Sequence, residues 1–178
     1  MLSYRDFLDY AESFYLEAKR EIRAGASDER QDLIIASLLL SWIAIESFVN
    51  NMMLDFARLP EDKLLIYERA FLTERMMEFV ESGARAGEFQ ISNRVNYIPL
   101  DRKILFLIAK FGQGIKLDRG GHLWQRFQDI KKKRDQITHP RKSSEIPISL
   151  DDASDAIEVT KAIIGTVSEK VWGESISF

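Results

Sequence analysis

From position 33 to position 53 this chain offers almost no polar face. Leu33, Ile34, Ile35, Leu38, Leu39, Leu40, Trp42, Ile43 and Ile45 are followed by Phe48, Val49, Met52 and Met53. A helix that is apolar nearly all round has to be packed on several sides, so other elements must cover it. The run therefore predicts a central helix over 29–58 with the remaining chain gathered about it. Glu46 stands inside the run, where a carboxylate is costly unless it is paired or near water. The most apolar part, 33–45, is thirteen residues and too short to span a bilayer.

The elements that could cover it are mostly helical. Phe7, Ala11, Phe14, Ala18 and Ile22 recur at steps of four and three, predicting a helix over 3–24. Gly25 ends it, and Ser27 or Asp28 can cap the central helix. Pro60 opens a third helix expected over 59–82, with Leu65, Leu72, Met76, Phe79 and Val80 on its apolar side and Gly83 and Gly87 closing it. Residues 85–98, with Ser92, Asn93 and Asn96, keep no period and read as a long connection carrying a short strand at 89–91.

Pro99 starts a short helix to 111 that contains Ile104, Leu105, Leu107 and Ile108, and Gly112 and Gly114 break it. Gly120 and Gly121 mark the next turn, before a helix over 123–138. Ser149-Leu150-Asp151-Asp152 has the form of a capping box with Asp in place of Glu. The last helix then sets Ala153, Ile157, Thr160, Ile164, Val167 and Val171 on one stripe. At 178 residues the expectation is one all-α domain, 1–178, a bundle of five to six helices around a buried central one.

Cysteine is absent, which excludes disulfides, zinc–thiolate sites and thiol nucleophiles. The N-terminal residues Met1-Leu2-Ser3-Tyr4-Arg5-Asp6 lack the basic-then-apolar layout of a signal peptide, so the expected location is cytoplasmic, with no membrane partner. The net charge of −3 argues against broad nonspecific nucleic-acid binding. A local basic site is still compatible with it, because steering depends on charge distribution as well as the total.

Such a site exists at the end of the 123–138 helix. Between positions 126 and 142 stand Arg126, Lys131, Lys132, Lys133, Arg134, Arg141 and Lys142, against only Asp129 and Asp135. Leu123, Phe127, Ile130, position 134 and Ile137 follow steps of four, three, four and three. Arg134 therefore fills a core-facing slot and needs an anionic partner or a solvated cleft. Glu46 is the candidate, in a bidentate pair. His139 stands five residues on, about 140° round an ideal helix. Pro140 should push it out of the α region and undo the helix there, freeing the imidazole to swing toward the arginine. Asp135, four residues before His139, can reach the ring and fix its tautomer.

Plainer readings exist for each group. An arginine on an apolar stripe is often a structural ion pair. A histidine before proline is often a helix C-cap. Three consecutive lysines usually make a solvated face, and His122 reads as a surface residue. Trp42, Trp124 and Trp172 are better explained as core or interface than as base-stacking platforms.

Arg134-Asp135-Gln136-Ile137-Thr138-His139 resembles the Arg, polar residue, three more, His motif of the HEPN superfamily of small helical bundles. The stretch 36–50 with its inward Glu46 is similar to that family's central helix, and Pro140 and the order of elements agree. The resemblance covers most of the chain. It implies a metal-independent endoribonuclease without cofactors, working as a homodimer whose two motif helices face each other across a cleft, in some members as a toxin or defence component with an antitoxin or other protein partner. On that resemblance His139 would be general base or acid at the RNA 2′-hydroxyl. Arg134 would hold the phosphate, and Asp135 would orient the pair. Lys131, Lys132, Lys133, Arg141 and Lys142 would attract the RNA backbone. Some toxin-type members carry a modified tyrosine two residues after the histidine. Arg141 stands there in this chain, so that mode of neutralisation is not supported.

Two other readings compete. Many members of the family are non-catalytic, and a helical module for dimerisation or for partner or nucleotide binding would use Arg134 and Glu46 as structural glue. A metal-dependent hydrolase is the weaker third. Two histidines, at 122 and 139, without Glu-x-x-His pairs, argue against it.

Overall fold

A computed structural model describes residues 2–25, 30–112, 114, 117–139 and 147–178. The expected cap at Ser27 or Asp28, the helix-breaking Pro140, and Arg141 and Lys142 lie outside the described residues. The elements run α1 (Tyr4–Arg23), α2 (Gln31–Ala57), a 3-10 turn at Glu61–Lys63, α3 (Ile66–Leu72), β1 (Arg75–Phe79), β2 (Phe89–Val95), α4 (Leu100–Phe111), α5 (His122–Thr138) and α6 (Leu150–Trp172). The chain divides into two compact units, one of residues 1–48 and 108–178, the other of residues 49–107.

In the first unit the apolar run of α2 is met by three other helices. Ser37 Oγ donates to the Ala11 carbonyl of α1 at 2.8 Å. Thr160 Oγ1 of α6 donates to the Ser41 carbonyl at 3.1 Å. Trp42 stacks on Phe127 of α5, with centroids 5.3 Å apart. Leu8, Ala11, Ala44 and Ile157 form a buried cluster where α1, α2 and α6 meet. The small side chains of Ala11 and Ala44, and of the buried Ala153 and Ala156 on α6, allow that close approach. The helix ends obey local chemistry. Ser3 with Asp6 and Ser149 with Asp152 form reciprocal capping boxes, so aspartate serves where the usual pattern has glutamate. Gly173, at φ 72°, closes α6 in the left-handed conformation that glycine adopts without penalty.

The whole of α2, 27 residues, is long and apolar enough to cross a membrane by length and composition. More than half of its most apolar window, 56%, is buried inside the fold.

The second unit departs from the expected all-α bundle. The helix expected over 59–82 ends at Leu72; β1 takes the place of its last part and pairs antiparallel with β2, which contains the strand expected at 89–91. Glu74 is the turning point, at φ 50° in the left-handed region that stops a helix. Three bonds hold it there. Its carbonyl accepts Asn96 N–H at 2.9 Å. Its carboxylate accepts Ile98 N–H at 3.2 Å and meets Lys103 Nζ at 2.8 Å. Lys103, only 5% exposed, also donates to Asn50 Oδ1 at 2.9 Å. The buried ammonium therefore joins α2, the Glu74 turn and α4.

Beyond that turn, Met77 pairs with Ile91 and Phe79 with Phe89, two residues apart on each strand and so on one face. The Phe79 and Phe89 rings meet edge to face at 5.5 Å. Gly83 and Gly87, with φ of 89° and 93°, sit in the hairpin loop. Arg69 of α3 donates to the carbonyls of Ala57 at 2.7 Å and Leu59 at 2.9 Å, supplying cationic donors at the end of α2, whose last turn has no basic residue.

Candidate functional site

The motif helix α5 buries Trp124, Phe127 and Ile130, and Arg134 follows one turn later on the same side. The guanidinium is partly covered, with 22% of the side chain exposed, and it meets two carboxylates. Its Nη2 donates to Glu46 Oε1 at 3.3 Å and its Nη1 to Asp135 Oδ1 at 2.9 Å. The expected partnership with Glu46 is present, through one bond instead of a bidentate pair. Trp42, four residues before Glu46 on α2, donates its indole N–H to the same Oε1 at 2.8 Å. Its ring lies under the guanidinium, 5.5 Å from Cζ to centroid.

His139 is the first residue beyond α5. It has left the α region at φ −133°, ψ 64°, as a following proline requires, while its backbone N–H still donates to the Asp135 carbonyl at 2.9 Å. It is exposed, and its imidazole has no hydrogen-bond partner among the described residues. Asp135 therefore does not hold the ring as expected. Arg134, next to it in sequence, takes its carboxylate instead.

The basic stretch is also less available than its composition implies. Lys133 pairs with Asp152 at the start of α6, and Arg126 with Asp155 and Glu158 one and two turns later. These residues tie α5 to α6. Lys131 is half-buried. Lys132 is exposed, with no ion partner among the described residues. His122 is exposed at the start of α5. Gln136 Oε1 is buried and has no hydrogen-bond partner among the described residues. No group of three or more His, Asp or Glu able to hold a metal ion occurs among the described residues.

Sequence reasoning missed Trp42 as part of this arrangement, although its i, i+4 spacing from Glu46 was the available signal. It also missed Asp152, Asp155 and Glu158, which announce themselves only once α6 is known to lie along α5.

These contacts set the stability of the site. Arg134→Ala should cost about 1–3 kcal/mol in urea unfolding. A fully buried pair would cost more, but Glu46 is 30% exposed and keeps its bond from Trp42. Acid stability depends on the α5–α6 contact. Burial opposes the charge on Asp152, but the bonds from Lys133 and from the Ser149 backbone and hydroxyl outweigh it and hold the carboxyl below its ordinary value. A depressed folded-state value stabilises the fold fully above the ordinary carboxylate pKa of about 4, and this contribution is lost as pH falls through the folded value. Removing the ammonium in Lys133→Met should therefore lower stability at neutral pH and leave a smaller further loss on acidification, so that wild type and variant converge as pH falls below the ordinary carboxylate value. Urea midpoints collected from neutral pH downward would show it.

No protein-family model, curated protein or solved structure matches the chain.

Proposed function

We propose that this chain is a metal-independent endoribonuclease of HEPN type, a cytoplasmic homodimer that serves as a toxin or defence component. The observation that carries the reading is the end of α5. An exposed imidazole without a described partner follows, five residues on, a guanidinium held in place by Glu46 and Asp135. Arg134 bonds those carboxylates through Nη1 and Nη2 alone among the described residues, which leaves further N–H donors for a phosphate. His139 would take the proton of the RNA 2′-hydroxyl as it attacks the adjacent phosphorus, or return a proton to the departing 5′-oxygen. Arg134 would stabilise the charge developing on the phosphate oxygens. The products would be a 2′,3′-cyclic phosphate and a 5′-hydroxyl.

A second reading is favoured by a specific observation. Arg126, Lys133 and Arg134 all bond carboxylates of the same chain, as the cations of a purely structural helix would. On that reading the protein is a helical module for dimerisation or partner binding. One sequence offered both as RNA and as DNA, with EDTA present, separates the two. The nuclease shortens the RNA and leaves the DNA intact, because the attack needs a 2′-hydroxyl. Two intact strands, or two shortened ones, would remove the ribonuclease proposal.

A further inference from the structure

Trp42 touches Arg134 by two routes. Its ring face lies 5.5 Å from the guanidinium carbon, within the range of a cation–π contact, for which indole is the best partner. Its N–H also donates at 2.8 Å to Glu46 Oε1, the oxygen that accepts Arg134 Nη2 at the longer distance of 3.3 Å. The carboxylate oxygen is therefore fixed from the α2 side before the arginine uses it. Trp42 is itself immobilised, 3% exposed and stacked nearly parallel on Phe127, which in turn meets Trp124 at 5.0 Å.

A tryptophan needed only to fill this space would require neither an aligned N–H nor a cation over its face. We propose that Trp42 is a positioning residue for Arg134. It holds the guanidinium from below through the ring, and from the side through Glu46, so that the remaining N–H donors present a fixed geometry to an anion. The inference rests on the reading of Arg134 as the phosphate-holding group for its consequence in cleavage, and on the contacts alone for the positioning.

The test is side-chain NMR on the full 15N-labelled chain, with the Arg134 Nη–H resonances, whose protons make the bonds to Glu46 and Asp135, identified by their absence in Arg134→Lys. Trp42→Phe keeps a ring and deletes the N–H. It should speed solvent exchange of the Arg134 signal about tenfold, the scale of one hydrogen bond to a charged group. Adding Glu46→Gln to it should give little further increase, because both changes break one path. Unchanged Arg134 exchange in a folded Trp42→Phe chain would overturn the proposal.

If that variant does not fold, Glu46→Gln alone reads the same path from the carboxylate. Of the three indole N–H resonances, that of Trp42 should shift while those of Trp124 and Trp172 stay, and no shift would overturn the proposal. In a cleavage assay with rates normalised to folded protein, Trp42→Phe should lower kcat and leave KM nearly unchanged. The NMR arm uses no RNA, so it decides the positioning role even where the ribonuclease reading fails.

Discussion

His139→Ala is expected to lose RNA cleavage by about 10²–10⁴-fold, the usual contribution of a general acid or base. Its unfolding free energy should stay within about 0.5 kcal/mol of wild type. The two halves of that result come from different atoms. The imidazole is exposed and bonds no described residue, so its removal breaks no contact among them. The backbone N–H that caps α5 on the Asp135 carbonyl survives in alanine. Single-turnover rates on a labelled RNA, with urea unfolding of the same samples, check both halves. A variant that still cleaves at the wild-type rate removes His139 from the chemistry. One that loses activity and stability together makes it a helix cap.

Phe127→Ala should produce the largest loss of stability, about 3–5 kcal/mol. Phe127 is fully buried, and its ring lies between Trp42 of α2 and Trp124 of its own helix. Deleting the ring leaves a cavity beneath the indole that supports Arg134. The loss should therefore appear both in the urea midpoint and in a red shift of tryptophan fluorescence as the indoles meet water. Phe127→Leu, which keeps most of the volume, should cost far less. Equal costs for the two substitutions would show that the stacked geometry matters more than the space filled.

The helices that sequence reading located best are those whose signals lie within one helix. The period of α1, the apolar run of α2 and the Ser149–Asp152 cap of α6 each depend on neighbours a few residues away; α1 and α2 fall within about two residues of their expected bounds, and α6 begins directly after the expected cap at Ser149. The misreading of 59–82 has a specific cause. Leu72, Met76 and Phe79 keep helical spacing by coincidence, while the residue that ends the helix, Glu74, is held in the left-handed region by Asn96, Ile98 and Lys103. Those partners lie more than twenty residues away, beyond any local pattern.

The site shows the same divide. Arg134 on an apolar stripe had to have an anionic partner, and Glu46 was legible as that partner because it was a carboxylate inside the apolar run of α2. The fate of Lys133 was not legible. A helical period gives the face a residue occupies, but only the packing of α6 against α5 brings Asp152 opposite it. Asp135 had two possible partners in its own sequence neighbourhood, and the nearer cation took it.

Whether Arg134 and His139 cut RNA by attack of its own 2′-hydroxyl is written in the chemistry of the product ends. A mixed single-stranded RNA would be incubated in EDTA with folded wild type and with folded His139→Ala at matched concentration and oligomeric state, and the new 3′ ends identified by mass spectrometry. The wild type should leave 2′,3′-cyclic phosphate ends and the variant almost none. Intact RNA with wild type, or 3′-hydroxyl ends, would rule out the proposed reaction.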